Sequence, residues 1–313
     1  MIDPLLEQTV TLAAQRLNAD LHRDLPSATS HLERHLKRVP SLTHPTTTLV
    51  PEAFPSLALP HWMTPSAARP GDSEFLADVA YSTFSGYYAI RLIDNLTDRD
   101  GPAELPALLP TAGYFHWRFL QPYLKHFPHG HDFWPEFHRV WSDQANATVE
   151  DALEPEITED TFYQVSSRKF GASKVPLAAV AFRHGMPTHL QAWYEFVDVL
   201  GAFVQFMNDF LDWRHDDEHE INTFLQSESR RRRAPGETHA EWFGREGCSW
   251  GTDRLRLEMR KVSELGRRLS NDDASRWIAV REEVLERQLD RAAANPLATG
   301  EGSSSLGDRN SEH

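Results

Sequence analysis

"FVDVLGAFVQFMNDFLDWRHDD", residues 196 to 217, decides how this chain folds. Its apolar residues recur every three or four positions, which is the period of a helix and not of a strand. Up to Met207 the run is so apolar that the helix belongs in a core. It then turns acidic. Asn208, Asp212 and Asp216 stand at i, i+4 and i+8 and make one stripe of oxygen ligands, with Asp209 and Asp217 beside it. Unpaired carboxylates are costly to bury, so such a stripe at the end of a core helix calls for a cation.

Working outward, the helical period recurs over residues 4 to 24, 73 to 98, 112 to 126, 132 to 153, 159 to 184, 187 to 215, 251 to 269 and 273 to 294. Strand-like alternation is not evident, so the chain reads as all-α, a single helical domain over residues 1 to 294 with the dimensions of a large bundle. Proline and glycine clusters at 50 to 72, 100 to 110, 127 to 132 and 230 to 237 mark the breaks, and "RRRR" at 230 to 233 reads as a solvated loop. Residues 295 to 313 are small, polar and without periodicity, which predicts a disordered tail.

Composition narrows the partners. The 313-residue chain carries a net charge of -14, which argues against nucleic acid or an anionic membrane, and an anionic substrate would need a local cationic device. One cysteine, Cys248, permits no internal disulfide and suits a reducing cytoplasm. The N-terminus lacks a secretory pattern, and no apolar run approaches the roughly 20 residues that span a bilayer.

A second acidic helix end, "RLIDNLTDRD" at 91 to 100, closes the apolar run "YYAIRLI". Asp94 and Asp98 are four apart, so their Cβ atoms lie about 5 to 6 Å from each other on one face. Like charges that close disfavour each other unless a cation sits between them. Arg91 and Arg99 supply at most two, on partly different faces; a hard divalent cation such as Mg²⁺, with its preference for oxygen ligands, is the other solution. Either motif alone also matches an ordinary solvated helix end. Two of them, each on a long apolar helix with the same oxygen spacing, make the metal reading the stronger one.

These residues resemble the class I isoprenoid synthase family of prenyl diphosphate synthases, squalene and phytoene synthases, and terpene cyclases. "DNLTD" at 94 to 98 is similar to its DDxxD motif, with Asn95 in place of the second aspartate, and "YYAIRLIDNLTD" resembles the YxxxRxxDD segment of the squalene and phytoene branch. "QFMNDFLD" resembles QxxDDxxD through Gln205, Asp209 and Asp212, while Asn208, Asp209, Asp212 and Asp216 also align with the cyclase pattern NDxxSxxxE. The resemblance covers about residues 80 to 226.

It implies a helical bundle around an apolar cavity, in which Asp94, Asp98, Asn208, Asp209, Asp212 and Asp216 supply ligands to a cluster of up to three Mg²⁺ ions that clamps a diphosphate and triggers ionisation of an allylic C–O bond. Asp94, Asp98, Asn208 and Asp212 are the expected catalytic set. Arg168, Lys169 and Lys174 in "SSRKFGASKVP", with Arg91 and Arg214, are the expected diphosphate-binding residues. The elongators' N-terminal GKxxR-type segment, the RR pair after the first motif and the lysine-bearing segment after the second are missing, which favours a one-substrate cyclase over a prenyltransferase that uses a separate acceptor. Phe84, Tyr87, Tyr88, Phe203, Gln205 and Phe206 are the expected substrate pocket, since a migrating cation needs dry walls with π faces. The partners implied are an allylic prenyl diphosphate and, as often in this family, a second copy in a homodimer. From another class, a non-catalytic helical binding protein would have the same acidic ends facing water.

Overall fold

A computed structural model describes residues 3–36, 45–97 and 105–294. Every regular element among them is helical, with no strand, as the periodicity predicts. No described helix is long and apolar enough to cross a membrane.

The chain divides into two compact units. Among the described residues, the first comprises those up to Arg139 and Ala172–Leu190, and the second comprises Val140–Gly171 and residues 191–294. In chain order the helices are α1 (Pro4–Asp24), α2 (Pro26–Leu36), α3 (Ala58–Met63), α4 (Ser73–Thr97), α5 (Leu105–Leu108), α6 (Pro110–His126), α7 (Phe133–Leu153), α8 (Glu159–Lys169), α9 (Gly171–Arg183), α10 (Leu190–Leu211), α11 (Trp213–Glu218), α12 (Phe224–Arg232), α13 (His239–Trp242), α14 (Cys248–Arg268) and α15 (Asp272–Ala294).

In the first unit α4 is the central helix and packs on α1 and α6. Helix α1 starts where Asp3 accepts a hydrogen bond from the Leu5 N–H (2.8 Å) and Pro4 supplies a fixed φ at the first helical position. Its buried residues Leu6, Val10, Ala13, Leu17 and Leu21 repeat at three and four, so one stripe faces α4. Close approach of α4 to α6 depends on Gly86, where a Cβ would stand 2.8 Å from the Phe119 ring.

In the second unit α10 carries the most apolar run, and Phe196, Leu200, Phe203, Phe206 and Phe210 are buried along it. Two ring faces replace side chains on its neighbours. A Cβ at Gly201 would stand 2.4 Å from the Phe170 ring, and one at Gly251 on α14 would stand 2.5 Å from the Phe210 ring.

Four expectations need correction. The segment 159 to 184 is two helices rather than one, because Phe170 leaves helical geometry (φ -90°, ψ 18°) before Gly171 restarts it. Glycine is needed there: a Cβ at Gly171 would stand 2.9 Å from the Val140 carbonyl oxygen. The segment 187 to 215 begins as a short 3₁₀ turn, becomes α10 at Leu190 and is interrupted at Asp212. The "RRRR" run is no loop as far as Arg232, because α12 extends through Arg230, Arg231 and Arg232, capped at its start by Thr223. These arginines are exposed, but they are held: Arg231 by Glu228 (2.5 Å) and Glu156 (2.7 Å), and Arg232 by Glu228 (2.6 Å). The proline-rich break at 50 to 72 likewise contains α3.

Candidate functional site

The second acidic motif sits where α10 gives way to α11. Asp212 is the junction, at φ -99° and ψ 10°, and caps α11 without a side-chain hydrogen bond to it. The backbone ladder nevertheless continues through the junction: the Asp212 N–H reaches the Asn208 carbonyl (2.8 Å) and the Asp216 N–H reaches the Asp212 carbonyl (3.0 Å). The junction is therefore a kink that preserves the i, i+4 register of Asn208, Asp212 and Asp216.

Burial sorts these oxygens in an order the stripe alone does not give. Ala202, Phe206, Asp209, Trp213 and Asp216 follow at steps of three and four, and all are buried, so Asp209 and Asp216 lie on the inward face. Asn208 is exposed and Asp212 is half-buried. Asp209 is 4% exposed and accepts a hydrogen bond from the Gln205 amide (Nε2 to Oδ1, 3.1 Å). Burial pushes its carboxyl up to about 7; the nearby Asp151 charge adds to the rise, while the Gln205 hydrogen bond, Lys169 and the Phe224 backbone N–H oppose it.

Three of the five expected diphosphate-binding cations, Arg91, Arg168 and Lys169, are engaged with carboxylates. At the last turn of α8, Arg168 pairs with Glu150 and with Asp143 (3.4 Å), and Lys169 pairs with Asp151 (2.5 Å). Glu150 and Asp151 are adjacent on α7, so two consecutive cations meet two consecutive acids. Sequence gave no sign of these partners, because the pairing spans 18 residues and joins two helices. Arg214 lies over the Trp213 ring with its guanidinium carbon 5.2 Å from the centroid. Lys174 belongs to the other unit, where it is 9% exposed on α9.

Aromatic residues pack around this acidic end. Phe206 meets Phe162 (6.1 Å between centroids), Phe224 (5.9 Å) and Trp250 (5.6 Å), and Phe203 lies under the buried Arg281 guanidinium (5.5 Å). Phe203 and Phe206 are both fully buried, so in this structure they are core.

The first acidic motif lies in the first unit, at the end of α4. Asp94 is half-buried and accepts from Arg91 (2.9 Å), one turn back on the same helix. Asn95, at the position of the family's second aspartate, is 8% exposed. Asp98 lies outside the described residues, as do Arg99 and the tail from residue 295. Before the motif, Phe84 stacks on Tyr88 (6.4 Å, 25°) and Tyr87 meets Tyr88 edge-on (5.9 Å), and burial raises both phenols above their ordinary range.

No family model matches this chain, and no curated protein matches it either.

The donor chemistry suits a hard divalent cation, since the expected ligands in both motifs are carboxylate and amide oxygens. Among the described residues, however, no three His, Cys, Asp or Glu side chains converge closely enough to hold an ion. The set fits magnesium in kind, and Asp98 lies outside the described residues.

Proposed function

We propose that this protein is a class I terpene synthase, which ionises a linear allylic prenyl diphosphate and releases diphosphate as the cation closes on its own double bonds. The observation that carries the reading is the second acidic motif: four oxygen-bearing side chains at the kinked end of the most apolar helix, with register kept through the kink. Asp94 and Asp98 in the first motif, and Asn208, Asp212 and Asp216 in the second with Asp209 as the alternative, would hold magnesium. When bound, it would supply Lewis-acid neutralisation of the leaving group.

The chain's own residues have further roles in this reading. Arg91 and Lys169, now paired with Asp94 and Asp151, can exchange a carboxylate for a phosphate oxygen, since both acceptors offer the same charge-assisted hydrogen bond. Phe84, Tyr87 and Tyr88 would offer π faces to a cation and exclude water, while Phe203 and Phe206, core in this structure, would back the helix that carries the second motif.

One observation favours a second reading. Gln205 and Asp209 are hydrogen-bonded as a pair, and both belong to the prenyl synthase pattern, which points to transfer of the prenyl cation to a separate acceptor. Incubation with allylic diphosphates of increasing length, magnesium present and no acceptor added, separates the two. Released hydrocarbon or alcohol, identified by mass spectrometry, supports the cyclase. Product that forms only after an acceptor is added transfers the assignment to prenyl transfer, and no product with any substrate leaves the non-catalytic reading.

A further inference from the structure

In the first unit, α1, α4 and α6 each present a polar stripe to a common cleft of about 170 Å³, lined by Arg16, Asp20, Asp78, Tyr81, Arg118, Gln121, Pro122 and Lys125. Asp78 is at its floor, with a side chain 2% exposed, and it is held by Arg16 (2.7 Å), Lys125 (2.6 Å) and His126 (2.8 Å). Asp20 accepts from the Tyr81 hydroxyl (2.6 Å) and pairs with Arg23 (2.7 Å) and Arg118 (3.7 Å).

A count of hydrogen-bond capacity gives the cleft its sign. Both oxygens of Asp78 and both of Asp20 are taken, and the Gln121 carbonyl oxygen accepts from Arg118 (2.7 Å). Donors remain. Among the described residues, Lys125 uses two of its three N–H groups, on Glu74 and Asp78; Arg16 uses one of its five; and the Gln121 amide N–H₂ makes no hydrogen bond. Lys125 and Arg16 are about half exposed, so these donors reach solvent. Three cations and two carboxylates line the wall, with Glu74 paired to Lys125 and Asp24 to Arg118 at its margin, in a chain whose net charge is strongly negative.

We propose that this cleft binds a small phosphate-type oxyanion, either inorganic phosphate or the phosphate group of a small metabolite, through Arg16, Gln121 and Lys125. It is separate from the proposed catalytic motif. Asp78 and Asp94 are on one helix, sixteen residues apart, which is about 24 Å along its axis. Nothing in the proposal depends on the terpene synthase reading.

The test is calorimetric titration of the full chain with inorganic phosphate and with glycerol 3-phosphate. EDTA is present throughout, so that no divalent metal can recruit either anion to the acidic motifs, and ionic strength is held constant with chloride. Saturable binding of one anion per chain is expected. Gln121→Glu keeps the acceptor for Arg118, removes the amide donors and adds a negative charge, so it should weaken binding at least about tenfold. Its folding is checked by melting, and Lys125→Met serves as a second variant with the same expected loss. Tighter binding of glycerol 3-phosphate identifies a metabolite site, and equal binding identifies a site for the bare anion. No saturable heat, or binding unchanged in both variants, overturns the proposal and leaves the cleft an ion-pair clamp between three helices.

Discussion

Asp209 is a residue at which burial and ligation oppose each other. Its carboxyl titrates near 7 because the fold encloses it, so the folded state prefers it protonated. The contribution of that preference to stability is complete below the unfolded value of 3.8 and is lost as pH rises through about 7. Asp209→Asn should therefore leave stability nearly unchanged below about pH 4, raise it progressively above that, and raise it by about 2–4 kcal/mol at pH 8, measured by urea unfolding. A parallel pH dependence in variant and parent would show that the carboxyl is not buried in solution. His239 pulls the other way. Burial among Trp213 and Trp242 holds its ring near 4, so its contribution is lost as pH falls from 6.5 toward 4. Both acidic motifs were legible as motifs, since spacing alone picks them out. Which oxygen faces inward was not, because the i, i+4 stripe and the buried stripe through Phe206, Asp209 and Trp213 lie on neighbouring faces of one helix, and only packing selects between them.

Among the elements, long amphipathic helices were read nearly to their ends, as α1, α4 and α7 illustrate, because apolar period is a property of the sequence itself. Interruptions at Phe170 and Asp212 were missed because the apolar period runs straight through both. They are imposed from outside, by the close approach of Gly171 to the Val140 carbonyl and by the turn into α11. Helix α12 was missed for the opposite reason: its charges give no apolar period, and its stability comes from the Thr223 cap and from Glu228 holding two arginines. Contacts at glycine set how α10 is held. Gly251→Ala on α14 would put a methyl group into the Phe210 ring and should cost about 1–3 kcal/mol. Gly113→Ala on α6, where nothing lies within 4 Å, should instead gain about 0.4–1 kcal/mol by restricting the unfolded chain. Urea midpoints of the two variants moving in the same direction would contradict the packing around Gly251.

For the whole molecule the governing quantity is charge. A chain with a net charge of -14 repels diphosphate at long range, so diphosphate alone should raise its melting temperature no more than inorganic phosphate does through the α1–α4–α6 cleft, and magnesium alone should raise it little. Together they should act by linkage, because under the proposed function the complex would bind the folded acidic motifs and not the unfolded chain. At a ligand concentration about 100 times Kd the gain is about 2.7 kcal/mol. For a chain of this size that corresponds to a rise of about 5 °C, read by differential scanning fluorimetry. Asp94→Asn and Asp212→Asn should each abolish the rise. Neither should unfold the protein, since the Arg91–Asp94 pair is partly exposed and worth little, and Asp212 forms no side-chain cap for α11. Phosphate in EDTA separates this effect from the α1–α4–α6 cleft, whose response should survive both substitutions. A rise that magnesium and diphosphate still produce in both variants would place the anion elsewhere and remove the acidic motifs from the chemistry.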